Sequence, residues 1–179
     1  MAVVVTIAGS PSATSRTTSI LDYFRRELDA RGHETHAINV RDINADDLIH
    51  GRYDSESIKA QTARVESAHG VIVATPVYKA AYTGVLKLFL DVLPMNALAG
   101  KVTLPIVVGA TPTHALVLDY ALKPVLAALG ATTLQPGAYL LDNQFNAGET
   151  GQPPAFTPDL QSKLAALLGQ FEMSLTIFP

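Results

Sequence analysis

Cysteine is absent from this chain, and charged side chains are few. Without a thiol, the protein can form neither a disulfide, nor a thiolate metal site, nor a cysteine nucleophile. Only 16% of the residues are charged and the formal net charge is -3, so the basic surface of a nucleic-acid-binding protein is missing. No apolar run approaches the roughly 18 residues needed to span a bilayer. We therefore expect neither nucleic acid nor a membrane as a partner.

Two nucleotide-binding motifs are missing as well. A dinucleotide-binding fold needs G-x-G-x-x-G after its first strand, where this chain has Gly9-Ser10-Pro11. No G-x-x-x-x-G-K motif followed by Ser or Thr occurs, which argues against a nucleotide triphosphatase. Neither a Ser–His–Asp arrangement nor a pair of carboxylates stands out, so hydrolysis is not indicated.

Four histidines show no metal-ligand spacing with acidic partners, namely His33, His36, His50 and His69. We therefore predict no metal site. His33 and His36 flank a polar, outer strand, and we expect both to be solvated.

Hydrophobic residues, at 48% of the chain, predict a folded protein with a substantial core. A length of 179 residues is most simply one domain, so we assign residues 1–179 to a single domain. The first residues are apolar but lack the basic segment of a signal peptide. We expect them to form a strand, and we expect a soluble, cytoplasmic protein.

Apolar runs alternate with segments of helical periodicity, which is typical of a parallel sheet covered by helices. Strands are predicted at 2–9, 34–40, 70–74, 102–109 and 133–141, and helices at 17–31, 55–68, 82–93, 115–129 and from Pro158 onward. Pro124 implies a kink in its helix. Residues 41–54 are predicted as a loop or short turns, and 142–155 as a loop. Five such units predict an α/β, flavodoxin-like three-layer sandwich whose parallel sheet has the order 2-1-3-4-5.

The loop after the first strand, 9–18, carries six hydroxyl side chains and Arg16 within nine positions. It leads into a helix, whose N-terminus favours an anion. Serine and threonine also cap helices, but one cap does not need so many of them. The loop therefore favours phosphate.

The loop after the third strand begins at Thr75-Pro76 and continues with Val77, Tyr78 and Lys79. A stiff turn with apolar and aromatic surface suits a planar heteroaromatic ring, although an ordinary strand-to-helix turn explains these residues equally well. Lys79 could stabilise negative charge that develops on a reduced ring, or be a solvated surface charge.

The loop after the fourth strand, 109–114, starts at Gly109 and ends at His114, which could contact a ligand or be a partly exposed polar residue. In the order 2-1-3-4-5 the first, third and fourth strands are neighbours, so the three loops meet at one edge of the sheet. A phosphate pocket beside a ring-sized cleft indicates a mononucleotide such as FMN.

Several segments closely resemble the NAD(P)H-dependent FMN reductases of the flavodoxin-like superfamily, in particular the alkanesulfonate-utilisation type. The most specific are Ala8–Pro11, Val73–Tyr82, Gly84–Lys87, Leu118–Leu126 and Phe156–Pro158. The resemblance covers essentially the whole chain. It implies reduction of FMN by NADPH or NADH, with the reduced flavin leaving for an FMNH2-dependent monooxygenase that desulfonates alkanesulfonates.

The resemblance also implies site residues and an assembly. Phosphate would be held by Ser10, Ser15, Arg16, Thr17 and Thr18. The isoalloxazine would be bordered by Pro76, Val77, Tyr78 and Lys79 on one side and by Gly109, Thr111 and His114 on the other. The family suggests a homotetramer, in which Tyr120 would interrupt the fourth helix as a π-bulge at the interface.

Two other function classes remain open on the sequence. One is a quinone or azo-compound reductase with permanently bound FMN, and the other is a flavodoxin-type electron carrier. A carrier is typically strongly acidic, which a net charge of -3 disfavours. No motif for the 2′-phosphate is identifiable, so the choice between NADPH and NADH also stays open.

Overall fold

The computed structural model of the protein describes residues 1–146 and 154–177. The strands are β1 (Val3–Ala8), β2 (Glu34–Asn39), β3 (Gly70–Pro76), β4 (Val102–Gly109), β5 (Thr133–Leu134), β6 (Ala138–Leu141), β7 (Phe145–Asn146) and β8 (Ala155–Phe156). The α-helices are α1 (Arg16–Ala30), α2 (Ala45–Ile49), α3 (Glu56–Ser67), α4 (Gly84–Val92), α5 (Lys123–Ala128) and α6 (Pro158–Ile177). Single 3-10 turns cover Val40–Asp42, Pro112–His114 and Asp142–Gln144, and a π-helical turn covers Leu118–Leu122.

The main sheet is parallel and has the order β2-β1-β3-β4-β5, with β6 also pairing with β4. This confirms the predicted flavodoxin-like α/β architecture. The predicted fifth strand, 133–141, is wrong in one respect, because it is broken into β5 and β6. Pro136 has no N–H to donate and Gly137 has a φ of 74°, so the backbone between the two pieces leaves the ladder.

Alternate residues of the central strands pack into two separate cores. Val5 and Ile7 of β1 contribute to the core under α3 and α4. Val4 and Ala8 contribute to the core under α1 and α6. Because successive side chains of a strand point to opposite faces, a strand buried on both faces is almost entirely apolar, as β1 is apart from the buried Thr6.

Two predicted segments differ from the structure. The predicted loop 41–54 contains the short helix α2, because the side chain of Asn44 accepts hydrogen bonds from the N–H groups of Asp46 and Asp47 and caps it. The predicted helix 115–129 is helical only from 117 to 128, and it is not a regular α-helix. Its middle is the π-helical turn Leu118–Leu122, which includes Tyr120, and Pro124 follows in the first turn of α5.

The predicted loop 142–155 lies partly outside the described residues. Its described ends form β7 and β8, which pair antiparallel. Phe156 of β8 packs edge-on against Tyr23 of α1, with ring centroids 5.1 Å apart, and this contact brings β7 and β8 against α1.

The expectation that His33 is solvated is wrong. Its side chain is only 10% exposed, and its Nε2 lies 3.1 Å from Glu172 Oε1 of α6. Its Nδ1 accepts the N–H of Ala2. Within 1–146 and 154–177, no helix combines the length and the apolar character needed to cross a bilayer.

Candidate functional site

A cleft of about 220 Å³ lies beyond the carboxyl ends of β1, β3 and β4. The structure brings eight of the predicted site residues together there, namely Ser10, Ser15, Arg16, Thr17, Pro76, Val77, Tyr78 and Gly109. Thr18, Lys79, Thr111 and His114 are not among the residues that line it. The carboxyl edge of a parallel sheet is the usual ligand position in such folds.

The first corner of the cleft is the N-terminus of α1. Ser15 is the N-cap residue, but its side chain makes no capping hydrogen bond, and no acidic residue lies in the first turn. The N–H groups at this helix end are therefore available, and the helix dipole favours an anion. Three hydrogen bonds of Ser12 hold the preceding loop: its N–H donates to Ser10 Oγ at 3.2 Å, its hydroxyl donates to the Thr14 carbonyl at 3.0 Å, and its carbonyl accepts from Arg41 Nη1 at 2.8 Å.

Arg16, Thr17 and Thr18 occupy different positions at this corner. The Arg16 side chain is half exposed, and its Nη1 lies 3.9 Å from Asp142 Oδ2. Thr17 is buried and lines the cleft. The Thr18 hydroxyl is buried, and no hydrogen-bond partner for it lies within the described parts of the chain. An uncapped helix end, hydroxyls and a guanidinium fit a phosphate group.

The second corner is formed by Pro76, Val77 and Tyr78. Val77 packs against the core below, and its N–H donates to the Val108 carbonyl at 2.9 Å. The N–H of Tyr78 donates to the Ala81 carbonyl at 2.9 Å, and the N–H of Ala81 donates back at 3.1 Å. The half-exposed Tyr78 ring therefore stands on a fixed backbone, which suits the edge or face of a planar ring.

The turn between Tyr78 and Ala81 consists of Lys79 and Ala80, whose φ angles are 51° and 61°. Such a two-residue turn leaves its central N–H groups pointing outward. Among the described residues, no backbone or side-chain oxygen accepts from either of them. The N–H groups of Lys79 and Ala80 are therefore exposed beside Val77 and Tyr78.

Two buried threonines that are not among the predicted site residues, Thr75 and Thr83, connect the first two loops. Thr83 caps α4 by accepting the Leu86 N–H at 3.2 Å, and its hydroxyl donates to the Gly9 carbonyl. The Thr75 hydroxyl accepts the Thr83 N–H at 3.2 Å. Thr83 directly before a helical apolar pattern was the signal that could have identified it.

Glycines 9 and 109 are explained by close packing beside the cleft. A Cβ atom on Gly9 would lie 2.8 Å from the Cβ of Leu86, and one on Gly109 would lie 1.8 Å from the Tyr139 hydroxyl. That hydroxyl donates to the Thr111 carbonyl at 2.5 Å. Burial, and secondarily the Asp142 carboxylate, raise the pKa of Tyr139, which keeps the phenol in its donating form.

The third loop leaves the cleft after Ala110. His114 lines a second pocket of about 390 Å³ together with Ala80 and Tyr120. Tyr120 lies in the π-helical turn and is 79% exposed. Thr111 is exposed, and its hydroxyl shares a hydrogen bond of 2.5 Å with that of Thr113.

Five further residues line the cleft without having been predicted, namely Ser12, Thr14, Val108, Ala110 and Asp142. Ser12 and Thr14 belong to the hydroxyl-rich loop that the sequence did indicate. Asp142 follows β6, and its signal was the adjacency of the fourth and fifth strands in the predicted order.

The chain is similar to known proteins over most of its length. The sequence profile of the NADPH-dependent FMN reductases matches residues 2–146. The FMN reductase (NADPH) of Escherichia coli is 45% identical over 172 residues, which are 96% of this chain and 89% of that protein. The NADH-dependent FMN reductase SfnF of Pseudomonas fluorescens is 34% identical over 148 residues, or 79% of this chain and 78% of that protein.

The fold is likewise similar to a solved structure. The crystal structure of an NADH:FMN oxidoreductase in its apo form has a TM-score of 0.87, with 36% identity and coverage of 97% of this chain and 90% of that chain. Sequence and fold agree over nearly the whole chain. The chain therefore belongs to the family of NADPH-dependent FMN reductases.

Proposed function

We propose that the cleft binds FMN with its phosphate at the N-terminus of α1 and its ring beside Tyr78, and that reduced FMN then leaves for an FMNH2-dependent monooxygenase. As a member of its family, the chain is an oxidoreductase that uses NADPH or NADH to reduce FMN. The observation that carries the proposed site is the uncapped end of α1 next to Arg16 and an aromatic surface.

FMN in the cleft supplies an acceptor for hydride transferred directly from the nicotinamide to the flavin N5. The protein contributes position and electrostatics. Ser10, Arg16 and Thr17 would hold the phosphate, while Tyr78 and the N–H groups of Lys79 and Ala80 would orient the ring. Because hydride transfer between two stacked rings needs no side-chain acid or base, we assign no catalytic residue.

The small volume of the cleft supports a flavin that comes and goes. Sites that enclose a ligand of this size usually have roughly 300–1,000 Å³, whereas this cleft has about 220 Å³. The described residues of one chain would therefore enclose only part of an FMN. A partly enclosed flavin can exchange, which suits a substrate that carries electrons to a second enzyme.

The setting we propose is the cytoplasm, where reduced nicotinamide nucleotides are available. On the family resemblance, the partner would desulfonate alkanesulfonates, which places the reaction in sulfur assimilation. We also propose a homotetramer whose contacts include the π-helical turn. Its support is an apolar surface around the second pocket, where Leu116 and Tyr120 are exposed, and large exposed apolar surfaces mark interfaces.

Steady-state kinetics tests the proposed function. The protein purified without flavin should oxidise NADPH or NADH only when FMN is added, and the reduced FMN should support a monooxygenase supplied in the same assay. No oxidation of either nucleotide with excess FMN would contradict the reductase. A purified protein that stays yellow and reduces quinones through tightly bound flavin would favour the quinone or azo reductase instead. Tight flavin without nucleotide oxidation would favour a flavodoxin-type carrier.

Replacement of Arg16 by alanine tests the phosphate position. Charge-assisted hydrogen bonds contribute roughly 1.5–3 kcal/mol, and Arg16 is half exposed, so we expect the Kd for FMN to rise about tenfold. The Kd for riboflavin, which lacks the phosphate, should rise less than twofold. Arg26→Ala is the control, since Arg26 is an exposed arginine of the same helix away from its N-terminus. Equal losses for FMN and riboflavin would refute the position, and flavin fluorescence titration measures both.

A further inference from the structure

An acidic side chain lies in a cleft that is otherwise built for an anion. Asp142 lines the cleft together with Arg16 and the hydroxyl-rich loop. In the described part of the chain, it is the sole carboxylate among the lining residues. Its Oδ2 lies 3.9 Å from Arg16 Nη1, and its side chain is 34% exposed. The guanidinium that would bind phosphate therefore already has an anionic partner.

The position of Asp142 is set by the fold around it. The residue follows β6 directly and opens the 3-10 turn Asp142–Gln144. Gln144 Oε1 accepts the Leu141 N–H at 3.0 Å and closes this turn. On the other side, Leu141 is in register with Gly109 of β4. The carboxylate is thus held at the cleft by a bonded turn at the end of a paired strand.

A carboxylate at this place opposes phosphate in two ways. It repels a phosphate dianion, and it shares the charge and the hydrogen-bond donors of Arg16. Both effects act on the charged end of the flavin, because Asp142 lies beside the phosphate corner and the ring corner is formed by other residues. A site selected only for tight binding would have a neutral side chain here.

We propose that Asp142 competes with the FMN phosphate for Arg16, and so weakens the site enough for the flavin to leave after reduction. This inference rests on the proposed position of the phosphate at the N-terminus of α1. Asp142 is a specificity-determining residue in this view, since it lowers the preference for FMN over a flavin without phosphate. It takes no part in hydride transfer.

The substitution Asp142→Asn tests the proposal, because it keeps the shape of the side chain and removes its charge. A partly exposed ion pair is worth up to about 1 kcal/mol, which is roughly a two- to fivefold change in an equilibrium constant. We expect the Kd for FMN to fall by about this factor, with an unchanged Kd for riboflavin. Affinity changes appear mostly in the dissociation rate, so FMN should also leave more slowly in a stopped-flow displacement experiment.

Two further variants make the test specific. Asp91→Asn removes an equally charged partner from an exposed ion pair with Lys87 on α4, and it should leave the Kd for FMN unchanged. In the Arg16→Ala background, Asp142→Asn should have a clearly smaller effect than in the wild-type chain, because the competition for Arg16 is gone. The double-mutant cycle measures this coupling.

The outcomes separate this inference from the proposed site. Suppose that Arg16→Ala selectively weakens FMN binding, whereas Asp142→Asn weakens it or leaves it unchanged. The phosphate site then stands, and the competition is refuted. If Asp142→Asn raises the affinity for FMN equally in the wild-type chain and in the Arg16→Ala variant, competition through Arg16 is also refuted. If Arg16→Ala does not distinguish FMN from riboflavin, the proposed position of the phosphate fails, and the inference fails with it.

Discussion

Lys79 and Ala80, beside the cleft, hold backbone conformations that L-amino acids rarely adopt. Both have positive φ angles, and the flanking Tyr78 and Ala81 exchange two backbone hydrogen bonds. This is the geometry of a type I′ turn, which normally requires glycine or asparagine. Each such residue costs roughly 1–2 kcal/mol. The turn persists because β3 and the capped end of α4 fix its two ends, and strain of this kind is common at ligand sites.

Relief of this strain is a prediction at the scale of one residue. Ala80→Gly should raise the free energy of unfolding by about 0.5–1 kcal/mol, because glycine adopts a positive φ without a steric cost but is more flexible when unfolded. In a chain of this size the melting temperature should rise by roughly 1–4 °C, which thermal unfolding by circular dichroism measures. Ala81→Gly is the control and should destabilise, since Ala81 has no positive φ. Equal destabilisation by both substitutions would contradict the strain.

At the scale of elements, the π-helical turn Leu118–Leu122 separates the 3-10 turn after β4 from α5. A π-turn contains an extra residue relative to an α-helix, and such turns are frequent at functional sites. Tyr120 of this turn faces outward, and the exposed Leu116 lies beside it on the same pocket. The extra residue therefore enlarges an exposed apolar surface next to the strained turn at Ala80.

The proposed assembly can be tested on this surface. Leu116→Glu should dissociate the tetramer into smaller species, because a charge buried at an apolar interface costs several kcal/mol unless it is paired. Sedimentation velocity measures the change in mass. Met173→Glu is a matched control, since Met173 is 64% exposed and Leu116 is 63% exposed, and Met173 lies on α6. A tetramer that survives Leu116→Glu would contradict an interface at the π-helical turn.

At the scale of the whole molecule, an ionic cluster joins distant chain segments at the amino ends of the strands, on the side of the sheet opposite the cleft. Glu172 of α6 accepts one hydrogen bond from Arg31, at 2.8 Å, and its Oε1 lies 3.1 Å from His33 Nε2. The hydrogen bond from Arg31, followed by that from His33, holds the pKa of Glu172 below its ordinary value of 4.5. Arg31 and His33 lie in the turn between α1 and β2, so the cluster ties the last helix to the start of the sheet.

This cluster predicts a pH dependence of stability. Folding lowers the pKa of Glu172. Its contribution to the free energy of unfolding is therefore fully present above the unfolded-state pKa, and it is lost as the pH falls through the lower, folded-state pKa. Glu172→Gln should therefore reduce the free energy of unfolding at pH 7 by about 1 kcal/mol or less, as partly exposed pairs do.

Urea unfolding at several pH values measures the difference in free energy of unfolding between the wild-type chain and Glu172→Gln. This difference should shrink as the pH falls below about 4. Asp54→Asn, at an exposed residue of a surface turn, should have no measurable effect at any pH. A loss for Glu172→Gln that stays constant down to pH 3 would contradict the ionic origin of the contribution.

Most of the fold could be predicted because its signals are local. The valine-rich run of β1 and the spacing of Ile20, Phe24 and Leu28 on α1 identify their elements directly. The break between β5 and β6 was missed, although Pro136 and Gly137 indicated it. The π-helical turn has no local signal beyond Asp119 and Tyr120, since its form depends on how the flanking segments pack.

The candidate site was predictable as loops and less so as side chains. Proximity of the loops after β1, β3 and β4 follows from strand order alone. Thr18 and Thr111 belong to these loops, yet neither lines the cleft, because the direction of a side chain depends on the turn of the backbone that carries it. His114 was assigned to the cleft side of its loop and lies in the second pocket instead.

The sequence by itself determined the strand order, the position of the cleft at the carboxyl edge and the family, because periodicity, capping residues and motifs are properties of short stretches of chain. Only the tertiary structure decided that Asp142 meets Arg16, that Thr83 joins the first two loops and that His33 packs against Glu172. These contacts join segments distant in the chain. Their distances and partners exist only once the sheet and its helices have packed.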